Sequence, residues 1–177
     1  MRILIVVDMQ NDFVDGVLGS AQAKAIVPAV VGKIAEYRSS GDRVVFTRDT
    51  HGNNYLDTQE GRKLPVPHCI RESYGWQIVP QIDTLDSLVI DKPSFGSCSL
   101  MEVLNNMEKV YDVDSVEIVG LCTDICVISN AMLAKAQLPE VPVTVDASCC
   151  AGVTPESHET ALSAMEMCQI DIINRSR

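Results

Sequence analysis

Three observations predict a three-layer α/β/α domain built on a six-stranded, mainly parallel, doubly wound sheet. Short β-branched runs alternate along the chain with longer segments of helical period. Most of the short runs are apolar nearly throughout, as a strand covered on both faces requires. Several of them end in a charged residue, at the sheet edge where open parallel sheets bind ligands.

The strand signals fall at 2–8, 43–48, 87–91, 115–120, 142–146 and 169–173, and the helical ones at 22–39, 99–111, 124–137 and 155–168. In the second helix Leu100, Val103, Leu104 and Met107 form the apolar stripe, and in the last Ala161, Leu162, Met165 and Cys168 do. Gly41-Asp42 stops the first helix, and Thr154-Pro155 reads as an N-cap followed by proline at the first helical position. The stretch 49–81 is too long for an ordinary connection and holds two of the three histidines, which marks it as a functional loop. Whether 52–75 moves as a lid is open at this level.

A length of 177 residues, 46% hydrophobic and 21% charged, fits one globular domain over 1–177. The net charge of −10 argues against nucleic acid as a partner, because phosphate binding needs surplus Lys and Arg. The apolar start at Ile3–Val7 is too short for a signal peptide or a spanning helix, so a cytoplasmic protein without a membrane partner is expected. Seven scattered cysteines with no CxxC pair favour free thiols over a disulfide framework or a thiolate zinc site.

Strand-end residues Asp8, Asp49 and Asp91-Lys92 are each consistent with a simple cap, and only their convergence at one edge gives them weight. Thr123 reads as an N-cap that places Cys126 in the first helical turn, where the helix dipole would favour thiolate. Asp124 opposes that effect, and position alone leaves open that Cys126 is a small buried hydrophobe, as for Cys98, Cys122, Cys149 and Cys150. Asp49-x-His51 with His68 suits zinc, iron or manganese, and Asp57 or Glu60 could add a ligand.

Taken in order, the segments Val7-Asp8-Met9-Gln10-Asn11-Asp12-Phe13, Thr47-Arg48-Asp49-Thr50-His51, Pro67-His68-Cys69, Lys92 and Val119-Gly120-Leu121-Cys122-Thr123-Asp124-Ile125-Cys126-Val127 resemble the isochorismatase-like cysteine hydrolases, in the nicotinamidase-related branch. The resemblance spans essentially the whole chain. It implies a triad of Asp8 as general base, Lys92 as the stabilising cation and Cys126 as nucleophile. It further implies a cis Leu121–Cys122 bond and an oxyanion hole from the backbone N–H groups of Cys122 and Cys126. Asp49, His51 and His68 would hold a divalent metal, zinc first, then iron or manganese. Glu60 is preferred over Asp57 as the fourth ligand. Phe13 and Leu121 would contact the substrate. Pro65 stands where many nicotinamidases have a ring-stacking tryptophan, a place Trp76 could take by folding in.

The expected function is a metal-containing cysteine amidohydrolase that converts nicotinamide or a related small amide to the acid and ammonia, with self-association common in the family. The alternatives are a hydrolase of another small amide or carbamoyl compound, or a non-catalytic binding or redox-responsive protein using Cys122 and Cys126.

Overall fold

β-branched and aliphatic runs pair side by side as the periodicity predicts. The computed structural model describes residues 1–175, and its strands are β1 (Arg2–Val7), β2 (Arg43–Asp49), β3 (Leu88–Lys92), β4 (Ser115–Leu121), β5 (Val143–Ala151) and β6 (Asp171–Ile173). They form one sheet in the order β3-β2-β1-β4-β5-β6. Every pairing is parallel, so the sheet is wholly rather than mainly so.

Alternation along β1 builds two cores. Ile3, Ile5 and Val7 face Leu100, Leu104, Ala131 and Leu162, which lie on α4 (Cys98–Tyr111), α5 (Ile128–Gln137) and α6 (Pro155–Met167). Leu4 and Val6 face Ile26, Val30 and Ile34 of α2 (Ala21–Ser39). Side-chain caps fix the helix starts: Ser20 accepts from the Ala23 amide at 3.0 Å, Ser97 from Leu100 at 3.1 Å and Thr154 from Ser157 at 3.1 Å. Among the described residues no helix is long and apolar enough to cross a membrane.

The structure corrects several boundaries. β5 runs on past 146 to Ala151, pairing Cys150 with Gly120 after a register shift. Small residues without β-branching hid that extension. β1 stops at Val7 because Asp8 adopts a left-handed φ of 48°, and β6 starts only at Asp171 because Gln169 does the same at 63°. β2 reaches Asp49, β3 is shifted to 88–92 and β4 reaches Leu121. The segment 124–137 is not one helix: a π turn at Thr123–Val127 precedes α5. The functional loop also contains a 3₁₀ turn at Tyr55–Asp57 and the short helix α3 (Gln59–Lys63), while α1 (Asn11–Val14) follows β1.

Candidate active site and metal centre

The chain winds from β1 out to β3, then crosses over to β4, so the order of strand addition reverses between β1 and β4. Parallel sheets open a crevice at such a point. Gly120 makes the approach there tight: its φ is 117°, and a Cβ would fall 2.1 Å from the Val7 carbonyl oxygen. Asp8, just past β1, therefore stands beside Leu121 and Cys122, just past β4. The Leu121–Cys122 peptide is cis.

Lys92 ends β3, two strands from β1, about 10 Å at ordinary strand spacing. Only a long side chain closes that gap. Its ammonium lies 2.6 Å from Asp8 Oδ2, 3.4 Å from Cys126 Sγ and 3.5 Å from Asp49 Oδ1, and donates to the Ser94 carbonyl at 3.1 Å. The Thr47 hydroxyl donates to Asp8 Oδ1 at 2.7 Å. Lys92 is only 1% exposed and Asp8 is fully buried. Burial disfavours the Lys92 cation, but Asp8, Cys126 and Asp49 outweigh it and hold its pKa above the ordinary lysine value. Burial, with the charge of Asp49, raises the Asp8 pKa against the opposing pull of Lys92.

The Cys126 thiol does not behave as its place near a helix start predicts. Its pKa is pushed well above the ordinary thiol value, first by burial and then by the Asp8 carboxylate, with Lys92 only partly offsetting them. The expected N-cap is also displaced. Cys122 precedes the π turn without a side-chain cap, and the Thr123 hydroxyl instead meets His158 Nδ1 at 2.8 Å. One cation, Lys92, thus faces two buried acids, Asp8 and Cys126, whose pKa values burial raises together.

Asp49, His51, Glu60 and His68 each offer a donor atom, all within 4.8 Å of one another. His51 Nε2 lies 2.9 Å from Asp49 Oδ2 and 3.6 Å from Glu60 Oε1. His68 Nε2 lies 3.6 Å from Asp49 Oδ2 and 3.7 Å from Glu60 Oε1. Opposite each other, His68 Nδ1 and the Val66 carbonyl are 2.8 Å apart, which fixes that nitrogen as the N–H and leaves Nε2 as a lone-pair donor. Two imidazoles facing two carboxylates fit a borderline divalent ion. Gln10, fully buried, secures the Asp49 backbone from both sides: its Oε1 accepts from the amide at 2.7 Å and its Nε2 donates to the carbonyl at 2.9 Å. Asp57 is exposed on the 3₁₀ turn and stands outside the cluster, so the structure gathers Glu60 and not the alternative.

A narrow cavity of about 60 Å³ joins the two groups, touching Asp49, Glu60 and His68 on one side and Cys122 and Cys126 on the other. Phe13 lines it, its ring 5.6 Å from that of His68. Leu121 borders instead a wider chamber that adjoins it.

Residues 2–176 match the isochorismatase domain family. The chain belongs to the isochorismatase family. Within it, the nicotinamidase/pyrazinamidase of Mycobacterium tuberculosis is 29% identical, over 98% of each chain. A pyrazinamidase of Pyrococcus horikoshii, whose structure is in complex with zinc, superposes at a TM-score of 0.83 with 28% identity, covering 98% of this chain and 99% of that one. The pyrazinamidase/nicotinamidase of Streptococcus mutans UA159 gives 0.84 and 26%, covering 98% and 100%. These matches are to nicotinamidases and pyrazinamidases of that family.

Trp76 does not take the place of the family's ring-stacking tryptophan. The Arg48 guanidinium lies 3.6 Å above its ring, and its indole N–H donates to Thr50 Oγ1 at 2.8 Å. Pro65 is exposed, and its neighbour Leu64 supplies an aliphatic wall. The loop is stitched to α1 and the strand ends by backbone bonds, among them Asn11 to Gln77, Asp12 to Gly75, Val79 to Met9 and His51 to Cys69. Sequence reasoning missed Thr47, Gln10 and Phe95 as site residues, and also Asn130. A buried asparagine one helical turn beyond Cys126, inside an apolar helix, was the available signal for the last.

Proposed function

We propose that the protein is a metal-containing cysteine amidohydrolase that converts nicotinamide, or a closely related small amide, to the acid and ammonia. Its family branch makes it a hydrolase of non-peptide C–N bonds. The observation that carries the finer reading is the narrow cavity lined both by Asp49, Glu60 and His68 of the metal cluster and by Cys126. A flat ring touching the cluster presents its carboxamide to the thiol.

In this reading Asp8 takes the Cys126 proton as sulfur attacks the carbonyl carbon. Because the thiol resists ionisation, transfer and attack are coupled, and Asp8 must lie within the Lys92 field to remain a carboxylate beforehand. The backbone N–H groups of Cys122 and Cys126 receive the developing oxyanion. Collapse breaks the C–N bond, and the proton held by Asp8 leaves with ammonia. Asp8 then takes a proton from the water that attacks the thioester and passes it to the departing Cys126 sulfur, which frees the acid and restores the thiol. Asp49, His51, Glu60 and His68 would hold a divalent ion, zinc first, that supplies a Lewis-acid point for a ring nitrogen. Phe13 packs against the ring, and Leu64 closes its outer side.

A panel of small amides, assayed for ammonia release, tests the reading. Nicotinamide or pyrazinamide is expected to be turned over and Cys126→Ala to be inactive while folded. Turnover confined to a carbamoyl compound or an aliphatic amide would replace the substrate assignment.

A further inference from the structure

Releasing ammonia from a small aromatic amide leaves much of this site unused. The cavity at the thiol is narrow, about 60 Å³, and is closed on one side by Asp49, Glu60 and His68. Two chambers of about 420 Å³ each adjoin it. One is faced by His51 and Glu60, and belongs to the metal cluster. The other shares Phe13, Leu18, Leu64, Cys122 and Ile125 with the thiol cavity, so it adjoins the space that Cys126 lines.

Ala23, Leu121 and Val153 form the rest of its apolar wall, and no charged side chain lines it. The one hydroxyl there, of Ser20, is already committed to capping α2. Such a chamber rejects carboxylates and ammonium groups, which would lose hydration without a partner, and favours neutral apolar matter. It also begins on the β4 side of the thiol, whereas Asp8, the proton donor to the leaving nitrogen, is held toward β3 by Lys92.

We infer that this chamber is an acyl-side subsite for a neutral apolar substituent, so that the preferred substrates are primary aromatic carboxamides bearing an apolar group and larger than nicotinamide. The inference rests on the amidohydrolase reading. Each methylene buried there contributes about 0.8 kcal/mol, close to fourfold in affinity.

The experiment compares nicotinamide with its methyl, ethyl and propyl derivatives at ring carbons 5 and 6, and with the corresponding N-alkyl amides, by kcat/KM on the metal-loaded enzyme and by calorimetric binding to metal-loaded Cys126→Ala. At one ring position kcat/KM should rise at least tenfold from hydrogen to propyl, mainly through KM, and binding should tighten in parallel. Filling the chamber with Ala23→Leu, or with Val153→Trp at its rim should Ala23→Leu fail to fold, should abolish the gain. The inference is overturned if nicotinamide is hydrolysed as well as every derivative, if the gain survives filling, or if only N-alkyl amides show it. If no member releases ammonia, the amidohydrolase reading fails, and the binding series still decides the chamber: a flat series overturns the subsite.

Discussion

Asn130 grips the carbonyl of Cys126: its Nδ2 lies 2.8 Å from that oxygen, while also donating to the Phe95 carbonyl at 3.0 Å. Its Oδ1 accepts from the Ser97 amide at 3.0 Å, and the side chain is 0% exposed. One residue thus ties the turn that carries Cys126 to the loop that leaves Lys92, whose ammonium is itself bonded to Ser94. Asn130→Ala should leave the Phe95 carbonyl and Ser97 amide without these partners, at about 1–3 kcal/mol for each group left unsatisfied. Assayed well below its melting temperature, the variant should lose about tenfold or more in kcat, with a smaller change in KM. Loss of stability with kcat intact would make Asn130 a structural residue only.

Asp8 has opposite effects on the thiol's reactivity and on catalysis. Its charge helps hold the Cys126 pKa up, after burial, and its carboxylate is the proposed proton acceptor. Asp8→Asn removes the raising charge and leaves Lys92, which lowers the thiol pKa, less neutralised. Iodoacetamide should therefore label Cys126 faster at pH 7 in Asp8→Asn than in the wild type, while ammonia release falls by about a thousandfold or more. In the wild type, labelling should keep accelerating as pH rises past the ordinary thiol range, because a raised pKa postpones thiolate formation. Slower labelling in Asp8→Asn would contradict this electrostatic assignment.

The charges of Lys92, Asp8 and Asp49 rank two substitutions by stability. Lys92 stands between two buried carboxylates, Asp8 and Asp49. Asp8→Asn leaves one cation facing one carboxylate, whereas Lys92→Met leaves two buried carboxylates facing each other. Breaking a buried pair in that way costs about 3–5 kcal/mol. Thermal or denaturant unfolding should show Lys92→Met to be the less stable variant by a clear margin, and the reverse order would disprove the charge accounting.

The layers, the strand–helix alternation and the strand-end positions of Asp8, Asp49 and Lys92 were legible in the sequence, because apolar runs ending in charged residues record both the sheet and its functional edge, whereas Cys126 joined them only through the family resemblance. The raised pKa of the Cys126 thiol was not legible. It depends on burial and on Asp8, a residue distant in sequence, and these override the local helix dipole. The extension of β5 was equally hidden, since Ala147–Ala151 is held by pairing with β4 rather than by its own β propensity. Trp76 illustrates the same limit: Arg48 and Thr50 claim its ring and N–H, and nothing in composition foretold it.

Glu60 and Asp57 can be separated by metal binding. Glu60 Oε1 approaches both imidazoles, and Asp57 lies outside the cluster. Elemental analysis of the wild type should find close to one divalent ion per chain. Glu60→Gln should weaken metal affinity by about tenfold or more, and Asp57→Asn should leave it unchanged. Because metal bound only by the folded state stabilises it, chelation should lower the melting temperature of the wild type more than that of Glu60→Gln. Equal metal retention by both variants would remove Glu60 from the ligand set.

A second set of charges, away from the site, sets the acid limit of stability. Lys33 Nζ lies 2.8 Å from Glu117 Oε1 and 3.0 Å from Asp146 Oδ2, while Ser148 and Asn174 donate to the Asp146 carboxylate at 2.7 Å and 3.0 Å. Burial works against ionised Asp146, but the bonds from Ser148, Lys33 and Asn174 outweigh it and lower its pKa. A carboxyl lowered on folding stabilises the native state above its unfolded pKa, about 3.9, and loses that contribution as pH falls through the folded value. Asp146→Asn should therefore be less stable than the wild type at pH 7, with a difference that stays constant down to about pH 5 and shrinks at more acidic pH. Chemical denaturation at a series of pH values reads the difference directly; one that widens toward acid would reverse the sign of this linkage and refute the role given to Lys33, Ser148 and Asn174.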